Sequence, residues 1–217
     1  IVISEKEAIR IARQKKENSI SNYFLRPGED PYKKIKENLF LKVQVDKKTC
    51  YAGEPVLATF KLYSCLESKS DIVKNPGFYG FSVFDMINLS DKEVLAEKIN
   101  GKIFDVHTIR KVQLFPLQAG VFTIDPMEIR NRVEFSSTAV SRKTEQEIVE
   151  GMFGNREEVE KNDVVNYETE ISTESIIINV APIPAKNKPV DFSGAIGRFF
   201  ITASLLKNEL AKNEEGM

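Results

Sequence analysis

Two cysteines, one histidine and 32 carboxylates are the residues of this 217-residue chain with chemistry to offer. Their spacing offers little. If residues 55–65 form one continuous strand, Cys65 lies about 30 Å along it from the turn holding Cys50. A disulfide needs its Cα atoms within about 7 Å, so two small, partly buried thiols are favoured over a bridge. Two cysteines and one histidine also fall short of the four ligands of a structural zinc site. His107 lies in a strand-like stretch without a nucleophile or an orienting partner nearby in sequence, and reads as a surface residue. A carboxylate pair for glycoside hydrolysis is selected by no spacing. The acidic run Glu157, Glu158 and Glu160 matches no EF-hand loop and reads as a solvated face. The expectation is a chain with no catalytic residues, no metal site and no cofactor.

The residues with the best claim to contact something are aromatic. Phe78, Tyr79, Phe81 and Phe84 follow Asn75-Pro76-Gly77 in the most aromatic stretch of the chain, with Asp85 and Asp91 close behind. A core strand with aromatic packing is one reading. The other is a partner platform built on Phe78, Tyr79, Phe81, Asp85 and Asp91. Asp85 or Asp91 could there reach, in trans, a metal ion held by a partner.

The elements that would position these residues are strands. Leu39, Leu41, Val43 and Val45 alternate with polar positions, and Val56, Ala58, Phe60 and Leu62 do the same after a turn containing Gly53. Residues 66–71 are polar and read as a loop. Residues 94–99 alternate up to Asn100-Gly101, the strongest short hairpin signal. The returning strand, 102–115, is long enough to expect a bulge. Pro116 to Gly120 break the apolar positions Val112 and Leu114 from Phe122 and Ile124. Such a corner carries a chain from one sheet of a sandwich to the other. Residues 136–170 are polar and read as an excursion, with a short helix near 144–150. Ile176 to Val180 is β-branched and reads as a strand that is buried on both faces or central. Upstream, Ser4 and Glu7 form a capping box for a polar helix over 4–18, either a loose connector or a partner-binding helix. Residues 19–31 read as linker.

Together these predict a mainly β protein: an immunoglobulin-like β-sandwich of antiparallel strands over 38–184, preceded by a helix and linker over 1–37. Residues 185–217 read as a linker and the first strand of a further module, around Phe199 to Leu205. Hydrophobic content of 41% and charged content of 29% are ordinary for a globular chain. A formal net charge of −1 argues against nucleic acid as the main partner. No apolar run reaches the roughly 20 residues of a membrane helix, and no signal peptide is visible. The start without Met suggests an excised, soluble fragment.

The succession of motifs resembles the BatD family of bacterial aerotolerance operons, over roughly residues 38–205. Gly53-Glu54-Pro55 at a turn, closed by Lys61-Leu62-Tyr63, resembles its first strand pair. Pro76-Gly77-Phe78 with Gly80-Phe81, and Asn100-Gly101 with Arg110, resemble its next two motifs. Leu114 to Gly120 with Ile124 and Pro126 resembles its "FPxxaG…I…P" corner. Ile178-Asn179-Val180 with Pro182-Ile183-Pro184, and Phe192 to Gly197, resemble the passage between modules. The chain departs from the pattern at Cys50 and Cys65, and Phe122 stands where an immunoglobulin-type corner carries tyrosine.

The resemblance implies a non-catalytic interaction or scaffolding module of a membrane-anchored protein. Its sandwiches would face the periplasm from the inner membrane, with von Willebrand factor A-type proteins of the Bat operon as partners and oxygen or stress tolerance as the phenotype. A carbohydrate- or peptidoglycan-binding sandwich of the cell envelope is the rival. Sugar platforms favour exposed Trp and Tyr, and a chain with no Trp and only six Tyr fits that reading less well.

Overall fold

A computed structural model describes residues 24–26, 28–86, 94–136, 164–186, 188–194 and 196–197. The expected helix over 4–18, the short helix near 144–150 and the strand around Phe199 lie outside the described residues. So does Asp91.

The described chain is a β-sandwich. Its first sheet joins β1 (Leu39–Val45), β3 (Val56–Ser64) and β7 (Lys102–Pro116), all antiparallel neighbours. β7 is 15 residues long, and two short strands share its far edge. β5 (Phe81–Asp85) pairs with its second half and β6 (Leu95–Ile99) with its first. The turn from β6 to β7 is Asn100-Gly101, with φ of 49° and 83°, as a type I′ hairpin requires. The expected bulge is present: Phe60 lies opposite Arg110 and Lys61 opposite Thr108, which leaves Ile109 as the extra residue.

The facing layer is a long ribbon. β8 (Gly120–Ile124) leads into β9 (Glu128–Ser136), and β10 (Val164–Ser172) leads into β11 (Ile176–Ala181). The two arms run antiparallel without a slip of register. Ser172 lies opposite Glu128 on one side of the interruption, and Ile176 opposite Ile124 on the other. Pro126 has no N–H to give in this gap. Thr173 closes it: its N–H donates to the Met127 carbonyl, and its hydroxyl accepts from the Met127 N–H, both at 3.0 Å. β4 (Ser68–Lys74) adds to β9 on one edge, and β2 (Thr49–Tyr51) adds to β11 in parallel on the other. The orders β1-β3-β7-β5 and β4-β9-β10 are those of the two sheets of an immunoglobulin-like sandwich. The corner at 116–120 does carry the chain from the first sheet to the second.

Period-two burial builds the core. Val56, Ala58, Phe60, Val112 and Leu114 from one sheet meet Ile124, Met127, Ile129, Val133, Phe135 and Ile178 from the other. A second cluster lies on the outer face of the first sheet. There Phe40 stacks on Tyr63 at 4.9 Å, Phe104 meets Phe40 edge-on, and the Lys42 ammonium lies over both stacked rings.

Three expectations are corrected. The helix-and-linker stretch 1–37 does not end as linker: α1 (Pro31–Asn38) is a helix with Asp30 as N-cap, its carboxylate accepting from the Tyr32 N–H, and with proline in the first turn. The helix closes one end of the sandwich through buried Ile35 and Lys34. The Lys34 ammonium donates to the Phe24 carbonyl and to Glu29. Residues 66–71 are not all loop, since β4 begins at Ser68; both its faces are polar, so alternation does not reveal it. The polar stretch 136–170 contains most of β10, whose Tyr167 and Ile171 pack on the core between exposed carboxylates. Of the two readings of β11, the central one holds: it lies between β2 and β8, with one face buried and Ile177 on the other 55% exposed. Cys50 and Cys65 are free thiols, as the spacing predicts.

Candidate functional site

The aromatic stretch is held from below and open above. Phe78 to Phe81 is a tight turn, the Phe81 N–H donating to the Phe78 carbonyl. Gly80 takes φ of 85° at its third position, which a type II turn requires. A Cβ there would also run into the ring of Phe122, so glycine is needed twice over. Phe122, in the place of a corner tyrosine, makes no hydroxyl contact; its ring covers Gly80 and meets Phe81 edge-on at 5.6 Å. The Gly77 carbonyl accepts from the Asp125 N–H and the Gly80 carbonyl from the Leu117 N–H, which ties the turn to the second sheet and to the corner.

These anchors divide the five candidates. Phe81 is buried, and Phe78 packs on the core edge-on to Phe60. Tyr79 stands 79% exposed, and Phe84, a few residues on, 62% exposed. The structure therefore buries Phe81, leaves Phe78 partly covered and brings out one residue, Phe84, that the site reading left aside.

Asp85 closes the stretch. Arg110 grips both its oxygens, from Nε at 2.9 Å and from a terminal nitrogen at 3.1 Å, and gives a third bond to Asn75 at 3.3 Å. The guanidinium lies 5.4 Å over the Phe78 ring. The hydrogen bonds from Arg110 hold the Asp85 carboxyl below its usual range. A metal ion presented in trans would have to displace this guanidinium, so the geometry makes Asp85 a clamp on the aromatic turn.

Elsewhere, His107 is exposed on β7 opposite Leu62. Burial pushes the Cys65 thiol up to about 11, and the Cys50 thiol is also raised, chiefly by burial. No group of three or more His, Cys, Asp or Glu among the described residues is arranged to hold a metal. None of the described helices is long and apolar enough to cross a membrane. A concavity of about 340 Å³ is lined by Tyr51, Ile183, Pro184, Pro189, Phe192 and Ile196. Comparisons of the chain with protein-family models, with curated proteins and with solved structures gave no match.

Proposed function

We propose that the chain is a non-catalytic protein-interaction module of a BatD-like protein. The parent protein would be anchored in the bacterial inner membrane with this sandwich on the periplasmic face. Its contribution to oxygen or stress tolerance would come through assembly with von Willebrand factor A-type proteins. The observation that carries this reading is the pair Tyr79 and Phe84. Each is largely exposed while the backbone beneath is fixed by buried Phe81, by Gly80 under Phe122 and by the Arg110–Asp85 clamp. Large aromatic side chains on a rigid base lose little conformational entropy on binding, and such residues dominate interface energies.

The test is capture of a purified von Willebrand factor A-type partner by the chain, with and without Mg²⁺. The double variant Tyr79→Ser, Phe84→Ser should weaken capture about tenfold or more while leaving the melting temperature in place. Undiminished capture by that variant would remove the aromatic pair from the interface. Failure of the parent chain to capture any such partner, together with a positive glycan array, would replace the reading with a carbohydrate-binding module.

A further inference from the structure

The outer face of the ribbon carries its charges in rows. Arg132 is paired to Glu168 and Arg130 to Glu170, each at 2.8 Å, across β9 and β10. The rows continue onto β4, where Lys69 lies opposite Arg132 and Asp71 opposite Arg130. Lys69 thus faces a like charge whose carboxylate is already engaged. Neither Lys69 nor Asp71 forms an ion pair or a side-chain hydrogen bond among the described residues. β4 is also an open edge: its far side pairs with no strand among the described residues. Its side chains are exposed on both faces, and Ile72 and Val73 are 46% and 43% exposed. Val73 sits in a register shift that ends the regular ladder, which leaves residues 68–72 as the flat part of the edge.

We infer that this edge pairs with the same edge of a second copy of the chain, antiparallel, about a two-fold axis through Ser70. In that register Lys69 lies opposite Asp71 of the second copy, twice by symmetry, and Ser68 lies opposite Ile72 of the second copy. A closed two-fold contact of this kind is self-limiting. Charges on an edge strand ordinarily keep other strands away. Here they alternate in sign about one residue, so they favour this register over the next one on either side. An axis through Lys69 would set lysine against lysine, and an axis through Asp71 aspartate against aspartate, and like charges directly opposite are destabilising. The pairing completes both broken rows, giving Glu168–Arg132–Lys69 followed by Asp71–Arg130–Glu170 of the second copy. It also supplies partners for the backbone groups along the edge and covers Ile72. The contact is small, which puts the dimer at the weak end of specific association.

The test is sedimentation equilibrium of the 217-residue chain at low salt, from micromolar to millimolar concentration, with circular dichroism as a check on folding. A dimer that weakens with added salt is expected. Lys69→Asp and Asp71→Lys should each weaken it about tenfold or more, since each turns two attractive pairs into two repulsive ones. An equimolar mixture of the two variants should restore it as a heterodimer, because both cross-strand pairs are then again of opposite sign. A chain that stays monomeric to millimolar concentration overturns the inference. So does a dimer that the single substitutions leave untouched, or a mixture that fails to recover.

Discussion

At the scale of single residues, the most informative contact is Arg110 with Asp85. It joins β7 to β5 and sits on Phe78, so it holds the turn that presents Tyr79. The Asp85 carboxyl is lowered in the folded chain, chiefly by the hydrogen bonds from Arg110. A lowered carboxyl contributes stability that is present above its unfolded value of about 4 and is lost as pH falls through the lower folded value. Asp85→Asn should therefore be less stable than the parent chain in urea at pH 7, and the two should converge in acid. The Asp85 side chain is 47% exposed, so the gap at neutral pH should be no more than about 1 kcal/mol. Equal stabilities at pH 7, or a gap that persists unchanged into strong acid, would contradict this role. The sequence alone allows the aromatic stretch to be core or surface. It is both, and the reason is local: the turn at Gly80 breaks the alternation, so no single period sorts Phe78 and Phe81 from Tyr79 and Phe84.

At the scale of elements, the ribbon depends on one side chain. Thr173 is buried, and its hydroxyl is the partner of the Met127 N–H where Pro126 interrupts the ladder. Thr173→Val keeps the shape and removes the acceptor, leaving that N–H buried and unpaired. The expected loss is about 1–3 kcal/mol, read from the urea midpoint, with faster exchange of the Met127 amide. A neutral substitution would mean that the two halves of the ribbon hold together without this bridge. The half-buried strands β1 and β3 were legible from alternation, β11 from its β-branched run, and Asn100-Gly101 and the bulge from turn chemistry and length. β4 was not legible, because its residues 68–71 are polar on both faces and show no apolar period; in β10, Val165, Tyr167 and Ile171 do alternate with Asn166, Glu168 and Glu170, a signal hidden in sequence by the long polar run before it. α1 had a signal in Asp30-Pro31, a capping residue followed by the proline of a first helical turn. That signal is outweighed in sequence by the neighbouring Pro27-Gly28, which points to a linker.

At the scale of the whole molecule, pairing is largely between distant parts of the chain. Val56 meets Leu114 in one sheet, and Cys50 meets Val180 in the other. Such topologies close long loops before their contacts form, so refolding of the described sandwich should take milliseconds to seconds. Stopped-flow dilution from urea checks this, and a full-amplitude phase in microseconds would contradict it. Immunoglobulin-like architecture was within reach of the sequence, because seven or more short strands with turn signals between them leave few alternatives. The exposed surface was not, since it is decided by which side chains the second sheet happens to cover.

The parallel pair of β2 and β11 has a mechanical meaning. Phe24 bridges to Ser136 at the end of the ribbon where β10 begins, and the described strands finish at Ala181 at the opposite end. Tension along the chain would thus pull β2 and β11 in opposite directions along their own axes. Their ladder is extended by the Asn179 N–H on the Lys48 carbonyl and the Ala52 N–H on the Ala181 carbonyl. These bonds lie across the direction of pull and would be strained together in shear, whereas a hairpin peeled from its turn gives up its bonds one at a time. A short three-residue strand thereby becomes the fastener through which this module resists being stretched.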